Sequence, residues 1–152
     1  MNIHTGLLPL NRGPNPHLWA WLDGTAKGIT IHYIDGGIDT GDIIAQRQIE
    51  FSGQMTFQSS YDRHVEEGGG LFRDEWHKIR SNSVKRVKQK GEPTSHTLKS
   101  QKPMESLFYN GGLELPIEEF CKQAKALLTK SKEISLNEPQ TAVNPITTNK
   151  TI

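Results

Sequence analysis

Two β-branched runs, Gly28-Ile-Thr-Ile-His-Tyr-Ile34 and Ile43-Ile-Ala-Gln-Arg-Gln-Ile49, flank an eight-residue stretch, Asp35-Gly-Gly-Ile-Asp-Thr-Gly-Asp42, that holds three glycines and three carboxylates. β-Branched side chains are stiff in a helix and pack well on a pleated surface, so both runs read as strands. The glycine-rich segment between them cannot continue either one and must turn the chain. A strand–loop–strand unit with an acidic, flexible tip follows, and any fold that contains it must build a sheet.

Helices are expected around this unit. Asn15-Pro16 opens the short apolar segment His17–Asp23 and Gly24 closes it, which supplies a helix start and stop. From Thr56 to about Ser81, the apolar residues Tyr61, Val65, Phe72, Trp76 and Ile79 recur at roughly helical spacing. Gly68-Gly69-Gly70 interrupts them; three such glycines cost about 3 kcal/mol relative to alanine, so a break or weakened helix is expected there. The basic cluster 84–90 reads as a solvated helix end. Leu115, Ile117, Phe120, Ala124, Leu127 and Leu128 form the apolar stripe of an amphipathic helix over 114–128. From Thr129 onward the chain is rich in Lys, Ser, Thr, Asn and Pro without periodicity, and it is expected to be disordered. The organisation is therefore one domain over 1–128 and a tail over 129–152.

The composition narrows function more than fold. Apolar residues make up 34% of the chain and mean hydropathy is −0.61, consistent with a length that lies partly outside the core. Formal net charge is +1, so no global field gathers polyanions, and nucleic acid is not an expected partner. The lone Cys121 cannot form an intramolecular disulfide, no signal segment opens the chain, and no apolar run approaches membrane-spanning length. A cytoplasmic protein with no membrane contact is expected.

Asn2 and His4 are two residues apart at what reads as a strand end, just before the Leu7-Leu8-Pro9 turn, so their side chains point the same way. With nothing before it to pack against, this strand is expected to find its sheet elsewhere. Asp39 lies in the glycine-rich loop, where backbone freedom lets a carboxylate approach a neighbouring strand end. A carboxylate beside histidine raises its basicity and fixes its tautomer. Acyl transfer to an amine needs an oxyanion donor, a proton acceptor and a group that orients that acceptor; Asn2, His4 and Asp39 can supply them. Each feature also has a plainer reading, as a surface histidine, a simple turn or a calcium loop. The loop lacks the terminal Glu of an EF-hand, and no metal site is expected.

The segment from Asn2 to Phe51 resembles, without interruption, the second half of the catalytic domain of folate-dependent formyltransferases. The resemblance is carried by Asn-x-His, the Leu-Leu-Pro turn, Arg12-Gly13, the Gly-x-Thr-Ile strand and the Asp-x-Gly-x-Asp-Thr-Gly-Asp loop, in the family's order. It implies an α/β fold, a partial Rossmann-like domain with a parallel sheet whose first half is missing here. It implies Asn2, His4 and Asp39 as the catalytic trio, and Asp35, Gly36 and Gly37 as the segment that holds the pterin of 10-formyltetrahydrofolate, the formyl donor. Asn11 and Arg12, in the stretch before Asn15-Pro16 and Trp19, look most like the acceptor-binding segment of sugar N-formyltransferases. The implied activity is formyl transfer to the amino group of a nucleotide-linked amino sugar, by a chain that needs a first-half segment or self-association. A fragment of a methionyl-tRNA or glycinamide ribonucleotide formyltransferase, or a nonenzymatic interaction domain, is the alternative.

Overall fold

The computed structural model describes residues 1–51 and 53–137. Strand β1 (Asn2–His4) leads through a tight turn into helix α1 (Pro16–Leu22). Strands β2 (Gly28–His32) and β3 (Ile43–Gln48) follow, then the long helix α2 (Phe57–Arg80). The short helices α3 (Leu98–Gln101) and α4 (Glu105–Tyr109) precede the terminal helix α5 (Ile117–Asn137).

The sheet has the order β1-β2-β3, with Asn2 opposite His32, Ile3 opposite Ile31 and His4 opposite Thr30. The molecule is α/β, as expected, and every strand pair among the described residues is antiparallel. β1 therefore does find a partner within the chain, as an edge strand on β2. This register puts Asn2, His4, Thr30 and His32 on one face and Ile3, Ile29 and Ile31 on the other. Ile29 and Ile31 are fully buried and form a core with Ile49 and Leu71 of α2. A second core joins Leu18, Trp19 and Leu22 of α1 to Phe57, Met104, Leu107, Phe120 and Ala124.

Helix α2 runs unbroken through Gly68-Gly69-Gly70, contrary to the expected break. Tertiary packing is the reason: a Cβ on Gly68 would lie 3.3 Å from Ile3 Cγ2 and 3.8 Å from two Ile29 side-chain carbons, so the glycine surface lets the sheet lie close to the helix. That close approach offsets the low helix propensity of the run. At its start, Thr56 and Ser59 form a reciprocal capping box.

Two further expectations are corrected. The segment 84–90 is extended rather than helical, because Val87 exchanges both backbone hydrogen bonds with Ile43 (2.7 and 3.0 Å) and Arg86 and Lys88 reach Asp42. The amphipathic helix begins after Pro116 and continues to Asn137, so residues 129–137 are helical; the remainder of the expected tail lies outside the described residues. Helix α1 starts where expected, with Asn15 at its N-cap and Pro16 in its first turn, although the Asn15 backbone is left-handed and its side-chain amide donates to Gln101 rather than capping the helix. No helix of the described residues is long and apolar enough to cross a membrane.

Candidate active site

Thr30 fixes the ground on which the site is built. Its buried hydroxyl donates to the Gly6 carbonyl (2.7 Å) and accepts from Leu8 N–H (3.1 Å) and Gln46 Nε2 (2.9 Å). These bonds pin the turn after β1 against the middle of the sheet, and so fix where Asn2 and His4 end and where Arg12-Gly13 begins.

Asp39 then enters from the β2–β3 loop with a left-handed backbone (φ 53°), a conformation Asp tolerates better than most residues. Its Oδ2 accepts the Gly13 backbone N–H at 2.8 Å and lies 3.5 Å from His4 Nδ1. Its Oδ1 lies 3.4 Å from both Asn2 Nδ2 and His32 Nε2. The trio expected from the sequence is thus brought together around one carboxylate. His32 is a fourth member that sequence reasoning missed. The signal was the second i, i+2 pair, Thr30-x-His32, which faces Asn2-x-His4 once the strands are paired.

The tautomers follow from the partners. His32 Nδ1 is 2.8 Å from the Tyr33 carbonyl, which only accepts, so Nδ1 carries a proton, and Nε2 faces both Asn2 Nδ2 at 3.3 Å and Asp39 Oδ1 at 3.4 Å. The Asn2 amide thus lies within reach of both His32 and Asp39. Burial pushes the pKa of His4 down to about 4, against the attraction of Asp39 and with help from His32, so its ring is neutral at ordinary pH. His4 is 3% exposed, and its Nε2 has no partner within the fold.

Other expected site residues fall differently. Asp35 caps its own loop, accepting from Gly37 N–H and the Thr40 hydroxyl, which holds its carboxyl below the usual range. Gly36 and Gly37 are exposed beside Ile34 and Ile38, which are 69% and 74% exposed. Asn11 is 1% exposed, with its amide donating to Asp23 and accepting from Thr25. It has no free face for the expected acceptor contact and acts as a turn scaffold. Arg12 is half-buried and donates to Gln89 Oε1 at 2.7 Å.

A convergent amide, two imidazoles and a carboxylate can bind a developing oxyanion and move a proton. A family model described as formyl transferase matches residues 1–74, the stretch that contains all four of these side chains. This segment belongs to the formyl transferase family. Among curated relatives, a methionyl-tRNA formyltransferase from Acetivibrio thermocellus is 35% identical over 97 residues, or 63% of this chain and 31% of that protein. One from Clostridium novyi is 32% identical over 105 residues, or 68% and 34%. The chain spans about a third of the length of these curated formyltransferases.

Solved formyltransferase structures align more fully. PseJ from Anoxybacillus kamchatkensis, in complex with UDP-4,6-dideoxy-4-formamido-L-AltNAc and tetrahydrofolate, matches with a TM-score of 0.72 at 34% identity, over 78% of this chain and 62% of that one. A 4-N formyltransferase from Francisella tularensis matches with a TM-score of 0.63 at 32% identity, over 68% and 43%.

Proposed function

We propose that this chain carries the acyl-transfer centre of a cytoplasmic N-formyltransferase, which moves a formyl group from 10-formyltetrahydrofolate to the amino group of a nucleotide-linked amino sugar. The observation that carries this reading is the convergence of Asn2, His4, His32 and the Gly13 N–H on Asp39. The two Asn2 contacts, at 3.3 and 3.4 Å, are long and therefore easily exchanged for an oxyanion on the formyl carbon. The His4–Asp39 pair accepts the proton released by the attacking amine and delivers it to the departing folate nitrogen. A carbon–nitrogen bond to the sugar amine forms as the bond to the folate nitrogen breaks.

The loop suits a flat heteroaromatic donor. Ile34 and Ile38 leave apolar surface open beside Gly36, where even an added Cβ would meet nothing within 4 Å. Backbone groups of Asp35, Gly36 and Gly37 border that surface, and Asp39 stands next to it. Arg12, tied to the same loop through Gln89, is the cation we assign to the acceptor's anionic portion.

The acceptor is the finer part of the proposal. Structural neighbours such as PseJ support a sugar nucleotide, whereas the sequence relatives favour methionyl-tRNA as a second reading. A net charge of +1 weighs against a polyanion as large as tRNA. The deciding assay offers the chain 10-formyltetrahydrofolate with a UDP- or dTDP-linked amino sugar, methionyl-tRNA or glycinamide ribonucleotide. It is run alone and with a formyltransferase first-half polypeptide supplied in trans. Formylation of the sugar amine is expected; formylation of methionyl-tRNA alone would replace the acceptor, and no transfer in any arm would sink the reading.

A further inference from the structure

Residues beyond the family match return to the site. Between the Val87–Ile43 pairing and the pairing of Thr94 and His96 with Arg12 (Arg12 N–H to Thr94 O and His96 N–H to Arg12 O, both 2.9 Å), the chain passes directly over the acidic loop. There Gln89 turns inward. Its Nε2 donates to the carbonyls of Asp39 and Gly41, both at 2.8 Å, and its Oε1 accepts from Arg12. Both N–H groups and the oxygen of one amide are engaged, which is nearly its full hydrogen-bonding capacity.

The loop needs such a hold. Residues 34–38 and Thr40 are exposed, Gly36, Gly37 and Gly41 loosen the backbone, and Asp39 occupies a left-handed conformation that L-residues disfavour. Gln89 grips the backbone on both sides of Thr40. Through Arg12 it also ties that loop to the turn whose next residue, Gly13, donates to the Asp39 carboxylate. A strap with only a stabilising role is complete with the Val87 and Thr94 pairings; the Gln89 donors go instead to the peptide units that orient Asp39.

We propose that Gln89 is a positioning residue for Asp39, holding its carboxylate in register with His4, His32 and the Gly13 N–H. The chemical use of that register rests on the formyl-transfer reading, but the positioning itself can be tested without turnover.

The test is NMR on the full chain carrying Gln89→Met, which keeps the length of the side chain and removes its donors. The Gly13 amide proton reports the Asp39 hydrogen bond directly, and the Leu8 amide, bonded to Thr30, serves as an internal control. In the folded variant the Gly13 resonance is expected to move upfield, the His4 titration midpoint to fall further as Asp39 withdraws, and Leu8 to stay in place. An unchanged Gly13 resonance with an unchanged His4 titration would overturn the proposal. Should Gln89→Met not fold, Gln89→Glu keeps the link to Arg12 while losing donation to both carbonyls, and the Gly13 resonance is read the same way. Where formyl transfer is measurable, kcat is expected to fall about 10- to 100-fold with KM little changed. Absence of turnover in the unmodified chain counts against the function and leaves the NMR result to decide on Gln89.

Discussion

Gly13 donates its backbone N–H to Asp39 Oδ2 at 2.8 Å, and no side chain can replace the hydrogen at that glycine without meeting the His96 carbonyl. Its φ of +97° adds backbone strain to any substitution. Gly13→Ala is therefore expected to lower stability by about 1–3 kcal/mol, and formyl transfer more than stability, since the displaced amide is the one that orients Asp39. Urea unfolding of the variant beside its rate of transfer checks both.

Asp39→Asn keeps the shape of the hub and removes its charge. The expected result is a folded protein whose formyl transfer falls by about 100-fold or more, because His4 loses the carboxylate that orients its ring and stabilises its protonated form. A variant with normal turnover would exclude Asp39 from the chemistry.

His4 governs the acid limb of activity. Its folded pKa, about 4, lies below the ordinary 6.5, so the neutral ring is the folded form and persists as pH falls through 6. The kcat/KM profile is expected to stay flat from neutrality down to about pH 5 and then decline. A midpoint near the ordinary histidine value, measured where the protein is still folded, would contradict this.

His17 limits acid stability. It is 5% exposed, packs on Phe57, Tyr61 and His64, and has neither ring nitrogen paired; burial, with a smaller effect of His64, lowers its pKa to about 3. Above pH 6.5 both folded and unfolded forms are neutral and the stability is fully present. Below 6.5 the unfolded ring gains a proton that the folded one refuses, and stability is lost progressively toward pH 3, by on the order of 3–5 kcal/mol at most. His17→Phe is expected to flatten thermal midpoints between pH 7 and 4.

Gly69 faces away from the sheet, and a Cβ there would meet only the end of the Arg73 side chain, at 3.5 Å. Gly69→Ala should stabilise the chain by about 0.5–1 kcal/mol through helix propensity. Calorimetry would register this as a rise in Tm.

Much of the site is legible in the sequence because it is local. Asn2 and His4 share a face by strand periodicity, and the glycines around Asp39 mark a loop that can reach them. His32 becomes visible only with the strand register, which periodicity does not supply. Gln89 lies fifty residues from Asp39, in a basic stretch whose charges suggest solvent until Asp42 is known to face them. Propensity misjudged the glycine run in α2 because the benefit of those glycines lies across the helix–sheet contact. The stripe of α5 was legible to Leu128, but its last turns are mostly polar and carry no periodic signal.

The glycine patch also makes α2 the floor under the reacting groups. Ile3 rests on Gly68 and stands between Asn2 and His4, whose side chains emerge on the other surface of the same strand. A single methyl at position 68 would press on Ile3, which must give by a few tenths of an ångström. Whatever part of that shift the strand takes up reaches amide, imidazole and carboxylate from behind, without touching any of them.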